Sequence, residues 1–227
     1  MELIDFDERQ THRLLSTAYI DEPAIAPLYD NDREKDILDA IEGETSTRLL
    51  GQTDQLDEFS PAELLTPAFG YGWTYVNAAF TYTRAGGNRF NREGRGVWYA
   101  AMDVVTCLRE VGFHLTRELR NANETENVTD YVQLLAHLAG KMVDLRAQPA
   151  APCLNPDPAI GYPEGQKLAA EIRAAGHHGV VYPSVRHPGG ICIAALQPAV
   201  IRQVAKGRIF RLTWIGGKGP KVEEIGN

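Results

Sequence analysis

Residues 97–120 read VWYAAMDVVTCLREVGFHLTRELR and combine two kinds of apolar pattern. Residues 97–101 form a short apolar stretch that is compatible with a buried strand. Asp103 can then cap a helix that runs to about Arg120. Its apolar residues recur every three or four positions, as one buried helical face requires: Val104, Leu108, Val111, Leu115 and Leu119. This stretch therefore predicts a strand that leads directly into an amphipathic helix.

The predicted helix also carries two side chains that are capable of chemistry. Glu110 lies away from the apolar stripe, and His114 follows it by four residues and so shares its face. A carboxylate and an imidazole are thus presented together. The alternative interpretation of Glu110 is a surface residue paired with Arg109 or Arg117, and that of His114 is a structural histidine.

The remaining patterns indicate strands near both ends of the body and helices between them. Strands are predicted at 69–83, as one strand or two short ones, and at 142–145, 179–182, 191–196 and 208–215. Helices are predicted at 132–141 and 165–175, and the prolines of 147–163 predict an irregular loop there. This arrangement favours an α+β fold over a regular parallel α/β alternation.

Charge is distributed unevenly along the chain, whose formal net charge is −7. Residues 1–60 hold 16 acidic against 5 basic residues, whereas residues 61–227 hold 14 against 18. We interpret residues 1–60 as an acidic, mainly helical extension, with a helical pattern at 33–41, and residues 61–227 as the functional domain. The mildly basic body suits an anionic ligand, but its excess charge is too dilute for a nucleic-acid surface.

Composition argues against several other classes of protein. With 227 residues, 44% hydrophobic and 23% charged, the chain has the balance of a globular protein. The acidic start lacks the features of a signal peptide, and no apolar run approaches the roughly 20 residues of a membrane-spanning helix, so we expect a cytoplasmic protein without a membrane partner. Cys107, Cys153 and Cys192 fit neither a disulfide framework nor a zinc site, and we interpret them as buried hydrophobes. The histidines show no ligand spacing, so no metal is predicted.

A second region that could carry chemistry is residues 179–190, GVVYPSVRHPGG. An apolar strand ends at Pro183 and delivers Ser184 and Arg186 into a loop rich in glycine and proline, which is where sites are often built. Ser184 lacks the G-x-S-x-G pattern of a hydrolase nucleophile, so no acyl-transfer triad is predicted. Taken alone, Ser184 is better interpreted as a turn residue.

Four ordered blocks of the sequence resemble the RES-domain family, which is named for its arginine, glutamate and serine. The blocks are GGNRFNREG, GVWYAA, LREVGFH and GVVYPSVRHPGG, the last followed by ICIAALQP, and they span about residues 70–200. The resemblance assigns the family's four characteristic residues to Arg89, Tyr99, Glu110 and Ser184.

The block around Arg89 departs from the family's usual pattern. Phe90 follows the arginine where the family usually has tryptophan, and Asn88 separates it from the preceding glycines. Arg84 or Arg92 could therefore share or take the role of Arg89.

The resemblance implies a fold similar to ADP-ribosyltransferases, with a small split β-sheet around a cleft for NAD. Members of the family are toxins of Xre-RES toxin–antitoxin pairs, and they degrade NAD by hydrolysis or phosphorolysis. NAD would then be the substrate, with inorganic phosphate as a candidate co-substrate and no permanently bound cofactor. An Xre-type antitoxin would be the protein partner.

The residue types fit cleavage of the bond between nicotinamide and ribose. Nicotinamide leaves NAD as a neutral ring, so the main demand is to stabilise a ribose that resembles an oxocarbenium ion. Glu110 would supply negative charge and bond to the ribose hydroxyls. Arg89 would grip phosphate, Tyr99 would stack on the pyridinium, and Ser184 would position the nicotinamide ribose.

Two further residues complete the predicted binding site. Arg186 is a candidate for binding phosphate, and His114 could orient Glu110 or bind a ligand hydroxyl. Two alternative functions stay open, namely transfer of ADP-ribose to a protein or small-molecule acceptor, and a non-enzymatic binding module. The acidic extension could shield the cleft, mediate a homodimer or contact the antitoxin.

Overall fold

The computed structural model describes residues 1–17, 60–81, 83 and 86–226. Within them, seven strands form one mixed sheet, and three helices pack against it. The strands are β1 (Glu2–Ser16), β2 (Trp98–Ala101), β3 (Asn127–Asp144), β4 (Gly179–Pro183), β5 (Ile191–Ala195), β6 (Ile201–Trp214) and β7 (Lys221–Gly226). The helices are α1 (Trp73–Thr81), α2 (Val104–Asn121) and α3 (Pro158–Ala174). The predicted α+β class is confirmed, whereas the likeness to ADP-ribosyltransferases stays a prediction.

The order of strands in the sheet is β1-β2-β5-β4-β3-β6-β7, and β1 also pairs with β3. The first five strands of this order therefore close on themselves, and β6 and β7 extend the sheet from β3. The pair β3–β4 is parallel, and the other described pairs are antiparallel. The closure brings His12 of β1 beside Ala101 of β2, although the two residues are far apart in the sequence.

The two faces of the sheet are buried by different helices. Side chains alternate along a strand, so Trp98 of β2 packs in a core cluster with Phe80 of α1. Its neighbour Tyr99 packs against a second core cluster, to which α2 and α3 contribute. Full burial of a side chain such as Phe80 contributes about 1.5–3 kcal/mol, so each face needs its helical cover for stability.

The amphipathic helix predicted after residue 103 is confirmed as α2. The side chain of Asp103 accepts a hydrogen bond from Thr106 N at 2.7 Å and so caps the first turn. The apolar residues of the predicted stripe pack, partly buried, against the second core cluster. The periodicity of the sequence thus identified both the helix and the face that it buries.

Several shorter predictions are also confirmed. Strands β2, β4 and β5 fall on the predicted apolar stretches, and β6 includes most of the stretch predicted at 208–215. The three cysteines are buried and free, as expected for small hydrophobes. Strand β7 was not predicted, because all of its residues are exposed and its sequence carries no apolar alternation that marks a buried face.

The helix predicted at 132–141 is wrong, because these residues belong to the long strand β3. Strand β3 lies between β1 on one side and β6 and β4 on the other, so its backbone is hydrogen-bonded along both edges. Val132, Gln133 and Leu134 are consecutive and all buried. A short apolar run without alternation is compatible with either a helix or a central strand, and only the pairing decides.

The strand or strands predicted at 69–83 are also wrong, because most of this stretch forms α1. Its buried residues Val76, Asn77 and Phe80 are spaced as one helical face requires. Val76 and Phe80 pack in the core cluster of Trp98, and the side chain of Asn77 bonds to the backbone of Leu65. The aromatic residues Tyr75 and Phe80, which favour a strand by composition, lie in this helix and pack against the sheet. Residues 82, 84 and 85 lie outside the described residues.

The N-terminal segment is not helical in the part that the structure describes. Residues 2–16 form β1, which pairs with β3 from Glu2 opposite Asp144 to Ser16 opposite Tyr131. Ile4 and Phe6 pack in the core and alternate with exposed acidic residues, which is the period of a strand. These residues therefore belong to the same sheet as the body. The helical pattern at 33–41 lies outside the described residues.

Helix α3 begins at Pro158, seven residues before the predicted start, and includes part of the predicted irregular loop. Asp157 caps the helix by accepting a hydrogen bond from Ala159 N at 2.9 Å. Pro158 occupies the first helical position, where a missing N–H costs nothing. Pro163 lies inside the helix, and it is one of the five prolines in 147–163 on which the prediction of a loop rests. Within the described part of the chain, no helix is both long and apolar enough to cross a bilayer.

A two-pronged ion pair fixes the segment that precedes α1, and its contribution can be tested by pH. Arg95 Nη1 and Nη2 donate to Glu63 Oε1 and Oε2 at 3.1 and 2.6 Å, and the hydrogen bond from Arg95 lowers the pKa of Glu63. The stabilisation is therefore complete above the unfolded pKa and is lost as pH falls through the lower, folded pKa.

We expect Glu63→Gln to lower the free energy of unfolding by about 1–3 kcal/mol at pH 7, because a charge-assisted bond to a buried guanidinium is lost. In urea unfolding, the difference from wild type should shrink towards zero below the folded pKa. The exposed Glu171→Gln serves as the control for removal of one negative charge. An equal difference at pH 7 and pH 3 would contradict the role of the ion pair.

Candidate active site

A cavity of about 330 Å³ lies where the closed part of the sheet meets α2 and α3. Its charged and imidazole-bearing wall residues come from distant parts of the chain: Arg13, Arg89, Glu110, His114, Glu118 and Arg186. Four tyrosines supply much of the remaining wall: Tyr99, Tyr131, Tyr162 and Tyr182. Aromatic walls with a few convergent charged groups are typical of a small-molecule site. Five of the six residues predicted for the site therefore share this cavity.

Glu110 is held by contacts from two directions. Its Oε1 accepts a hydrogen bond from Ser184 Oγ at 2.6 Å, and Cys192 Sγ lies 3.8 Å from the same oxygen. Its Oε2 lies 3.9 Å from His114 Nε2, which is within ion-pair distance. Among the described residues Glu110 thus pairs with His114 rather than with Arg109 or Arg117. The predicted proximity of Glu110 and His114 is confirmed.

Ser184 is the hydrogen-bond donor to this carboxylate. Its Oγ accepts hydrogen bonds from Arg186 N at 3.2 Å and His187 N at 2.9 Å. A hydroxyl has a single proton, and both N–H groups need its lone pairs, so the proton is directed to Glu110. Ser184 is therefore a positioning residue for Glu110, and among the described residues it is not part of the cavity wall.

Arg89 is almost fully buried and fixed on one side of the cavity. Its Nη1 donates to the carbonyl oxygens of Cys153 at 2.5 Å and Asn155 at 3.0 Å. Its Cζ lies 5.4 Å from the ring centre of Tyr162. Both backbone bonds use one nitrogen, so the guanidinium keeps further donors for an anion. Helix α3 packs closely against Arg89 at Gly165, which has no side chain. A Cβ at this position would lie 2.1 Å from Arg89 O.

Arg186 lies on the cavity wall, and two contacts fix the orientation of its guanidinium. Its Cζ stacks 3.6 Å from the ring centre of Phe113, and its Nη2 donates to Pro156 O at 2.6 Å. Burial lowers the pKa of Arg186, while the nearby carboxylate of Glu110 raises it. A guanidinium that is already stacked and bonded loses little entropy when it binds an anion.

Tyr99 contributes its ring to the wall and its hydroxyl to the loop that carries Arg89. The hydroxyl accepts a hydrogen bond from Phe90 N at 2.8 Å and donates one to Asn91 Oδ1 at 3.0 Å. Burial raises the pKa of Tyr99 well above its ordinary value, so the proton stays on the hydroxyl. Tyr99 therefore ties the loop at residues 88–91 to strand β2.

Arg13 is a cavity residue that was not predicted from the sequence. It lies on β1, donates from Nη1 to Tyr99 O at 3.0 Å and places its Cζ 4.7 Å from the ring centre of Trp98. Burial lowers the pKa of Arg13 to about 10, so the guanidinium stays cationic at neutral pH. No local motif marks this arginine, because only the pairing of β1 with β2 and β3 brings it to the cavity.

Arg84 and Arg92 are the alternatives to Arg89, and the structure describes one of them. Arg92 is exposed and does not belong to the described wall of the cavity. Arg84 lies outside the described residues.

We expect Tyr99→Phe to loosen the loop that carries Arg89 while it keeps the aromatic wall. The substitution removes the acceptor of Phe90 N and the donor to Asn91, so the free energy of unfolding should fall by about 1–3 kcal/mol. Amide hydrogen exchange at residue 90 should become faster, whereas the exposed Tyr71→Phe should leave it unchanged. Unaltered protection of the residue 90 amide in Tyr99→Phe would contradict this role.

Comparison with known proteins identifies a family over the same part of the chain. A family model described as RES domain matches residues 66–215. No curated protein matches the chain. The matched residues run from the segment before α1 to the end of β6 and include Arg89, Tyr99, Glu110 and Ser184, whereas Arg13 precedes them. Because the match covers more than half of the sequence, the chain belongs to the RES-domain family.

Proposed function

We propose that this protein is an enzyme that cleaves the bond between nicotinamide and ribose in NAD, by phosphorolysis or hydrolysis. One observation carries the proposal: the carboxylate of Glu110 is fixed by Ser184 in a cavity that also holds three arginines. A fixed anion surrounded by cations and aromatic rings suits a substrate with a cationic ring, a sugar and two phosphates. Membership of the RES-domain family supports the same substrate.

Glu110 is the residue that stabilises the transition state. As the nicotinamide leaves, the ribose carbon gains positive charge, and an anionic oxygen beside it lowers the barrier. Ser184 engages Oε1, so Oε2 is the oxygen that remains for the ribose and its hydroxyls. His114, 3.9 Å from Oε2, orients this oxygen or binds a ligand hydroxyl. The leaving group departs as a neutral ring, so no strong acid is required.

The arginines bind the phosphates. Arg89 and Arg186 lie on the same cavity wall as Glu110, and Arg13 adds a third guanidinium from β1. A planar guanidinium can hold two phosphate oxygens at once, which fixes the substrate relative to Glu110. In phosphorolysis, the same cationic environment receives the inorganic phosphate. The ring of Tyr99 lies on this wall and stacks on the cationic pyridinium.

Loss of NAD stops growth, so the protein acts as a cytoplasmic toxin. An Xre-type antitoxin neutralises it by covering the cavity. The fold is related to that of ADP-ribosyltransferases, which bind the same substrate. These parts of the proposal rest on the resemblance to the family.

The direct test is to incubate the purified chain with NAD, with and without inorganic phosphate, and to follow NAD, nicotinamide and ADP-ribose. Faster NAD loss with phosphate and a phosphorylated ADP-ribose product identify phosphorolysis, whereas indifference to phosphate identifies hydrolysis. Labelled NAD that marks a macromolecule in lysate would favour ADP-ribose transfer instead. No NAD loss under any condition would leave a non-enzymatic binding module and overturn the proposal.

A growth experiment tests the biological part of the proposal. Expression of the chain without a partner should lower cellular NAD before growth stops. Growth arrest with unchanged NAD would contradict NAD cleavage as the cause of toxicity.

A further inference from the structure

The loop between β4 and β5 is bound to α2 at two separate points. Ser184, at the start of the loop, donates to Glu110 in the middle of α2 at 2.6 Å. His187, three residues later, places its Nδ1 2.9 Å from Thr106 Oγ1 in the first turn of α2. The backbone N of His187 also donates to Ser184 Oγ at 2.9 Å. The two attachments are therefore linked within the loop itself.

The hydrogen-bond directions at the second attachment follow from the chemistry of its three members. Burial raises the pKa of Asp103, but hydrogen bonds from the side chain and backbone of Thr106 outweigh it, and the net pKa is lowered. Asp103 is thus an anion that can only accept, and Thr106 Oγ1 donates its one proton to Asp103 Oδ2 at 2.7 Å. The Nδ1 of His187 must then carry a proton and donate it to Thr106.

The loop can reach α2 this closely because of Gly190. A Cβ at this position would lie 2.4 Å from Thr106 Oγ1 and 2.9 Å from His187 Nδ1. Thr106 is fully buried, so neither it nor the helix can move aside without disturbing the core. The loop is closed by Ser184 N, which donates to Gly190 O at 2.8 Å. A change in the position of Thr106 would therefore move His187, and through the bonded loop it would move Ser184.

We propose that Thr106 and His187 are positioning residues that fix the Ser184 hydroxyl, and through it the carboxylate of Glu110, for the reaction. This inference rests on the proposed cleavage of NAD. Neither residue belongs to the described wall of the cavity, so the role that we propose for them is indirect. They act by holding the loop against the same helix that carries Glu110. We call the bonds between Thr106 and His187 and between His187 and Ser184 the clamp. A shift of about 1 Å in a reacting group can lower the rate about a hundredfold, so loss of the clamp should be measurable.

The central test is a double-mutant cycle on kcat between Thr106→Val and Ser184→Ala. Valine keeps the shape of threonine and the backbone bond from residue 106 to Asp103 Oδ1, but it removes the hydroxyl that accepts from His187 and donates to Asp103 Oδ2. We expect Thr106→Val to lower kcat roughly tenfold with KM for NAD changed less than about twofold. In the Ser184→Ala background, the same substitution should lower kcat by less than about twofold, because its route to Glu110 is already cut. An equal loss in both backgrounds would overturn the proposal, as would wild-type kcat in folded Thr106→Val.

A pair of substitutions at His187 separates the hydrogen bond from general packing. The amide nitrogen of asparagine lies near the position of Nδ1, whereas that of glutamine lies nearer to Nε2. We expect His187→Asn to keep most of the wild-type kcat and His187→Gln to lose about as much as Thr106→Val. Equal activity of the two variants would overturn the directional bond.

Thr116→Val is the matched control for removal of a bonded threonine hydroxyl from α2. Thr116 Oγ1 donates to Gly112 O at 2.6 Å and accepts from Trp214 Nε1 at 2.8 Å, away from the loop. This variant should lose stability and keep kcat, whereas Thr106→Val should lose kcat even where the two melt at similar temperatures. Loss of kcat in both variants to the same extent would reduce the effect to stability and overturn the proposal.

One measurement does not depend on NAD cleavage. The Nδ1 proton of His187 should give a slowly exchanging imidazole N–H signal in proton–nitrogen NMR, which Thr106→Val abolishes. If the wild-type signal is present but the protein does not consume NAD, the proposed function fails although the clamp exists. If the protein consumes NAD but the signal is absent, the clamp fails and the proposed function stands.

Discussion

Replacement of Glu110 by glutamine is expected to lower kcat for NAD cleavage by about a hundred- to a thousandfold. Glutamine has the size of glutamate, and its amide oxygen can still accept the Ser184 hydrogen bond that measures 2.6 Å in the wild type. The substitution therefore removes the negative charge without removing the contact that positions the group. Because the charge is needed only when the ribose becomes cationic, KM should change little.

The measurement is steady-state NAD consumption by purified variants that melt at the wild-type temperature. Glu124→Gln removes an exposed negative charge just beyond α2 and should keep wild-type kcat. If Glu110→Gln retains more than about a tenth of wild-type kcat, the carboxylate is not the main stabiliser of the transition state. A large rise in KM with unchanged kcat would assign Glu110 to binding alone.

The helix that carries Glu110 is the part of the site that sequence predicts best. The cap at Asp103 and the stripe of apolar residues are local signals, so α2 and its buried face could be predicted without tertiary contacts. The spacing of Glu110 and His114 follows directly from the helix. What periodicity alone did not give was the partner of Glu110, since Ser184 follows it by 74 residues and is brought near by the pairing of β4 and β5 beside β2.

The errors have a common physical origin, which is that strand pairing is not a local property. The sequence of β3 hides its strand period, because the half-buried residues Leu135 and Ala139 are as apolar as their buried neighbours. The sequence of β1 carries no clear strand signal, because acidic residues are frequent in its first half, although Ile4 and Phe6 pack in the core. Arg13 has no local signal either, because the residue reaches the cavity only through the closure of β1 onto β2 and β3.

Arg89 and Arg92 occupy different environments, although the sequence leaves both as candidates for the same role. Arg92 lies three residues away but is exposed, whereas Arg89 is buried and bonded to two carbonyl groups before α3. The spacing between Arg89 and Asn155 gives no hint of this contact. It depends on the packing of α3 against the loop, and therefore on Gly165.

Substitution of Gly165 by alanine is expected to destabilise the protein, which is the opposite of its usual effect in a helix. Alanine normally stabilises a helix by about 1 kcal/mol relative to glycine. Here the new Cβ would lie 2.1 Å from Arg89 O and 3.2 Å from its Cγ, and the first of these is a backbone atom that cannot rotate away. Either α3 or the Arg89 loop must shift, so we expect a net loss of about 1–3 kcal/mol in the free energy of unfolding.

The same substitution should raise KM for NAD, because a displaced Arg89 holds phosphate less well. Urea unfolding and steady-state kinetics on one preparation measure both effects. Gly219→Ala is the control, since its methyl group would meet open space and should alter neither quantity. A Gly165→Ala protein with wild-type stability and KM would mean that α3 can retreat without moving Arg89, and the close packing of this helix would then not be what fixes the arginine in the cavity.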